Sequence, residues 1–109
     1  MLYWTLLDKS NLWYLKNFGE TIREIRESKN LLLRQVAAAI ETDTALISKL
    51  ERGERKASRE QVSKLAKFLA VSEDSLLVVW LSDKVLEILV EEPLAHQVLK
   101  QTEKRINRS

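Results

Sequence analysis

Apolar positions along residues 18–106 recur at three- and four-residue spacing, the period of amphipathic helices rather than strands. Asn17 and Glu20 stand at N-cap and N3 spacing, and Phe18, Ile22 and Ile25 follow on one face, predicting a first helix that fades near Ser28–Asn30. A short helix at 33–40 points Leu33, Val36, Ala37 and Ile40 inward. Glu41-Thr42-Asp43 reads as a tight turn, with Asp43 capping a third helix at 44–51 that buries Ile47 and Leu50. Gly53 stands where that helix must stop and can supply a left-handed residue. Ser58 and Gln61 form a capping box for a fourth helix at 59–69, with Val62, Leu65, Ala66 and Leu69 inward. Ser72 caps a fifth, running to about Glu91 with a potential break at Ser82-Asp83. Pro93 suits the first turn of a sixth, which ends near Ile106.

Composition agrees with an all-α fold. The 109 residues include two Gly and one Pro, too few for a turn-rich β-sandwich or barrel. The absence of Cys excludes disulfides and thiolate metal sites. The longest apolar run, Leu76 to Leu81, is too short to span a bilayer, and residues 1–18 lack the basic start of a signal peptide. A cytoplasmic location without membrane contact is the resulting expectation. Net charge is +2, which names no partner, but its distribution is uneven: residues 49–67 carry seven cations against three carboxylates, whereas 72–95 sum to −5. Such polarity fits a nucleic-acid surface beside a separate functional segment, and equally a solvated helical face.

Two short helices joined by a tight turn, flanked by supporting helices, form a helix-turn-helix arrangement. The residues filling it are Ile22-Arg23-Glu24-Ile25-Arg26, Val36-Ala37, Ile40, and the run Ile47-Ser48-Lys49-Leu50-Glu51-Arg52-Gly53-Glu54-Arg55-Lys56. Leu65-Ala66-Lys67-Phe68-Leu69 and Val71-Ser72 complete the set. In these residues the stretch 18–77 resembles the lambda-repressor-like (Cro/CI-type, Xre-like) helix-turn-helix domain. The resemblance implies a five-helix DNA-binding domain, with residues 78–109 as a C-terminal helical extension. By the family pattern Thr44, Ala45, Ser48 and Lys49 face the major groove: Lys49 can donate to guanine O6 and N7, and Ala45 can meet a thymine methyl. Arg34, Arg52, Arg55 and Lys56 are the expected phosphate ligands, which position the domain without reading sequence. Arg26 and Glu51 correspond to an internal ion pair with a structural role.

The chain departs from the family pattern in places. Leu32 replaces the usual Ser or Thr at the cap of the second helix, Leu33 replaces a polar residue, and Glu41 replaces a turn glycine. In 72–95, Val78, Leu81, Val85 and Ile88 share a spacing that serves either packing on the fourth helix or a dimer seam. Residues 1–17 read either as an extra helix or as an extension foreign to the domain. His96 stands alone, Glu91 and Glu92 do not face each other, and no serine has a motif-placed base, so no metal, cofactor or enzyme activity is expected. The leading expectation is a sequence-specific transcriptional regulator of double-stranded DNA, acting as a homodimeric repressor. The alternatives are a protein-interaction module such as the antitoxin of a toxin–antitoxin pair, using 72–95 on a protein partner, and the controller of a restriction–modification locus.

Overall fold

The structure, a computed structural model, describes residues 16–109; the expectations for 1–15 lie outside the described residues. Six helices follow in order: α1 (Phe18–Ser28), α2 (Leu33–Ala39), α3 (Thr44–Glu51), α4 (Arg59–Leu69), α5 (Glu73–Leu89) and α6 (Ala95–Asn107). There is no strand among the described residues, and no described helix is long and apolar enough to cross a membrane.

The helices start where short polar side chains can accept backbone N–H groups. Asn17 and Ser58 each complete a reciprocal box with Glu20 and Gln61, while Asp43 and Ser72 accept from Leu46 and Ser75. At α2, Leu32 has no side-chain acceptor, but the Gln35 amide oxygen accepts from the Leu32 N–H at 2.7 Å. Half of a capping box therefore survives the loss of the usual Ser or Thr.

The ends of α1, α2, α3 and α4 share one closure. In each, the residue two beyond the helix C-cap, or its counterpart in α4, returns its N–H to a carbonyl five residues back: Leu31 to Arg26, Thr42 to Ala37, Glu54 to Lys49, Val71 to Ala66. This is the Schellman geometry, and it places one residue in the left-handed region. Those residues are Asn30 (φ 56°), Glu41 (φ 59°), Gly53 (φ 74°) and Ala70 (φ 56°). Glu41 thus takes the conformation of the missing glycine, and the turn keeps its shape.

One core joins the first five helices. Ile22, Val36, Ile47, Val62, Leu65, Leu69 and Leu76 are completely inaccessible, with Phe18, Ile25, Ala37, Ile40 and Leu50 close behind. Leu33 packs on this core only partly. Helix α5 is continuous through Ser82-Asp83 and ends at Leu89, short of Glu91; Pro93 lies in the turn before α6 rather than in its first turn. Only the first part of α5 is buried, through Ser75, Leu76, Leu77 and Val79, and α6 buries none of its residues. Val78, Leu81, Val85 and Ile88 are exposed, so packing on α4 does not account for their spacing.

Candidate nucleic-acid interface

Helix α3 lies across α2 with Ile47 at 0 % exposure and Leu50 at 2 %. Ala37, small and buried, allows that close crossing. The crossing fixes which residues of α3 remain outside. Thr44, Ala45 and Lys49 are exposed and Ser48 half-exposed, so the four predicted base-reading positions share the outward face, while Leu46 packs partly on the core. Asp43 is exposed at the start of this helix and is engaged by the Leu46 N–H at 2.7 Å.

The end of α3 is fastened to α1 in two ways. The Arg26 guanidinium meets Glu51 in a bidentate pair, with Nε 2.7 Å and the second nitrogen 3.0 Å from the carboxylate oxygens, and it also donates to the Leu31 carbonyl at 2.9 Å. Both side chains are largely buried, and the bond to Glu51 holds the Arg26 pKa above its ordinary value. Alongside, Gly19 lies against the Leu50 and Glu51 carbonyls: a Cβ at this position would sit 2.4 Å from the Leu50 oxygen. Sequence reasoning missed this role of Gly19, because a glycine at a helix start carries no signal of what lies above it.

The four predicted phosphate ligands are exposed but not equally free. Arg52 pairs with Glu54 at 2.7 Å and also reaches the Ser48 hydroxyl, so a predicted phosphate ligand and a predicted base-reading residue are in contact. The bond to Arg52 holds the Glu54 carboxyl below its ordinary range. Lys56 pairs with Glu87 on α5 at 2.7 Å. Arg34, Lys49 and Arg55 have no ion-pair partner among the described residues. Two further ties involve α5. The Asp83 carboxylate accepts the Phe18 N–H at 2.8 Å, and the Trp80 indole N–H donates to the Ala57 carbonyl at 2.9 Å. Neither could be read from spacing, since each joins residues distant in the chain.

A short helix, a tight turn and a second helix held with its polar face outward define a helix-turn-helix protein. Residues 22–76 match the helix-turn-helix family model, about half of the chain, and the chain belongs to this family of DNA-binding transcription regulators. Among solved structures it is similar to the restriction-modification controller protein C.AhdI from Aeromonas hydrophila. That likeness has 32% identity and a TM-score of 0.51, covering 54% of this chain and 86% of the other. It is also similar to the clp gene regulator ClgR from Corynebacterium glutamicum, with 26% identity, a TM-score of 0.54, and coverage of 78% and 88%. No curated protein matches the sequence significantly.

Proposed function

We propose that the protein is a non-enzymatic, sequence-specific repressor that binds double-stranded DNA as a homodimer. The observation carrying this reading is the outward face of α3. Thr44, Ala45, Ser48 and Lys49 stand together on a helix whose inner face is fixed by Ile47 and Leu50, the geometry needed to enter a major groove. Arg34 at the start of α2, with Arg52, Arg55 and Lys56 after α3, then holds backbone phosphates. Exchange of Glu54 for phosphate at Arg52, and of Glu87 at Lys56, costs little, because both pairs are exposed and water screens them. Occupying a promoter is sufficient to block polymerase in the cytoplasm.

The dimer reading rests on α5 and α6. Among the described residues, ten of the twelve exposed large apolar side chains lie from Val78 to Ile106, more than scattered surface residues account for. Two copies joined there would read half-sites about 34–36 Å apart. Binding titrations of the whole chain against a selected operator and a random duplex, over several salt concentrations, test the function. A salt-dependent affinity for both and a preference for the operator are expected; absence of both would sink the reading. Sedimentation equilibrium tests the dimer, and a monomer at the concentrations that bind DNA would remove it.

Two specific observations favour related readings. The likeness to C.AhdI supports a controller of a restriction–modification locus. The acidic, apolar surface of 72–95 suits a basic protein partner such as the toxin of a toxin–antitoxin pair, which co-purification with a neighbouring gene product would reveal.

A further inference from the structure

Arg55, Lys56 and Ala57 follow the recognition helix and belong to no helix themselves. Their loop is closed before them by the Glu54 N–H on the Lys49 carbonyl, and after them by the Ser58 cap of α4. Between these points, the hydrogen bonds they make among the described residues run to α5. The Trp80 indole donates to the Ala57 carbonyl at 2.9 Å, and Lys56 meets Glu87. Trp80, Lys84 and Glu87 recur at i, i+4 and i+7, one stripe of the helix. Lys84 holds its ammonium 4.1 Å from the Trp80 ring centre, and the indole is half-buried against the core. A cleft of about 350 Å³, bounded by Phe18, Leu50, Arg55, Trp80 and Val90, separates much of the loop from the helix.

The two ties differ in strength. Lys56 and Glu87 are both exposed, so their pair is weak and screened. Ala57 is 6 % exposed, and its carbonyl would be left without a partner if the indole were removed. The loop therefore takes its height above α5 from the Trp80 bond together with the packing of the Ala57 side chain in the core.

We propose that Trp80 is a positioning residue for DNA binding: through Ala57 it holds Arg55 and Lys56 where they meet backbone phosphates. It touches no DNA itself. The inference rests on the phosphate reading of Arg55 and Lys56 given above. It also makes α5 a shared element, since Val78, Leu81, Val85 and Ile88 occupy another stripe of the same helix.

The test is Trp80→Phe, which keeps an aromatic ring and deletes the donor. Anisotropy titrations of labelled duplexes, run well below the melting point, give the slope of log affinity against log salt. The slope should become shallower by about 0.9 to 1.8, the loss of one or two phosphate contacts, equally for operator and random duplexes. An unchanged slope in the folded variant overturns the proposal, because a merely structural tryptophan would lower the melting point and leave the slope alone. Arg55→Ala in parallel separates the two levels. If it also leaves the slope unchanged, the phosphate reading has failed; if it flattens the slope and Trp80→Phe does not, Trp80 alone is refuted. The wild-type protein supplies a measurement that needs no variant. The Trp80 indole N–H should exchange slowly with solvent, free and DNA-bound, and exchange at the rate of an open indole would overturn the proposal equally.

Discussion

Gly19→Ala sets two effects of opposite sign against each other. Exchanging glycine for alanine inside a helix ordinarily stabilises by up to about 1 kcal/mol, and less in a first turn, where Gly19 lies. Here the added Cβ would stand 2.4 Å from the Leu50 carbonyl oxygen and 2.7 Å from that of Glu51, against 3.4 Å or more for ordinary contact. The obstacle is backbone, which cannot rotate aside, so α1 and the end of α3 must separate by about 1 Å. That end is held by Leu50 in the core and by the Arg26–Glu51 pair, both of which resist the shift. Overpacking costs about 1–3 kcal/mol, and backbone obstruction places this case toward the upper end. A net loss of about 1–3 kcal/mol follows, or roughly 5–20 °C in melting temperature for a domain of this size. Urea denaturation should show a lower midpoint at an unchanged m-value. Gly53→Ala is the contrast: it meets no atom within 4 Å, yet φ is +74°, so it loses only the strain of about 1–2 kcal/mol. A Gly19→Ala protein as stable as wild type would refute the close approach.

The buried pair, the turn, the outward face of α3 and Asp83 give four further expectations. Glu51→Gln should cost about 3 kcal/mol in chemical denaturation, the low end for breaking a buried pair, because Arg26 keeps the Leu31 carbonyl. A double-mutant cycle with Arg26→Met checks it, and coupling near zero would contradict the pair's role. Glu41→Gly relieves a left-handed side chain and should raise stability by about 0.5–1 kcal/mol; a lower melting point would show that Glu41 is not strained. Lys49→Ala should cost about 1–3 kcal/mol of discrimination at one base position in binding to operator variants, and a uniform loss across all positions would remove it from base reading. Burial holds the Asp83 carboxyl above its ordinary range, outweighing the Phe18 N–H that lowers it, while Glu87 and Glu20 raise it further. Folded Asp83 therefore keeps its proton more readily than the unfolded chain, so its stabilisation is complete below about pH 3.9 and is lost as pH rises through the folded value. The stability of Asp83→Asn relative to wild type should rise with pH from about 4 upward, and a difference flat with pH would exclude the effect.

How much of this was legible in the sequence depended on whether a feature is local. Asn17, Asp43, Ser58 and Ser72 announce helix starts because a cap is made within three residues, and all four caps are present. The helix ends were legible only in part. Gly53 signals its left-handed residue and Asn30 adopts one readily, but the same geometry at Glu41 and Ala70 is imposed on side chains that do not favour it. Those residues are held there by a returning N–H and by the packing of the next helix, neither of which leaves a mark at the residue itself. The outward face of α3 was legible in part for a related reason: with Ile47 and Leu50 inward, a helix of 3.6 residues per turn leaves the opposite face outside. The choice of Thr44, Ala45, Ser48 and Lys49 on it came from the family resemblance.

The ties from α5 to the rest of the domain follow no such rule. Asp83 to Phe18 spans 65 residues and Trp80 to Ala57 spans 23, so each depends on where the core sets the long helix. Leu76 and Val79 set it, burying one side of α5 and bringing Trp80 beneath the loop and Asp83 beneath the start of α1. The acidic count of 72–95 hides this division of labour. Glu87 and Asp83 are spent on Lys56 and the Phe18 N–H within the chain, whereas Glu73 and Asp74 lie in the first turn of α5, where the helix dipole favours them. Glu91 and Glu92 lie exposed beyond the end of α5, so the segment offers a partner both an apolar stripe and carboxylates. Pairing between like apolar surfaces and attraction of a basic protein are separated by sedimentation of the whole chain at high salt. An apolar dimer should persist there, while an assembly held by charge should dissociate.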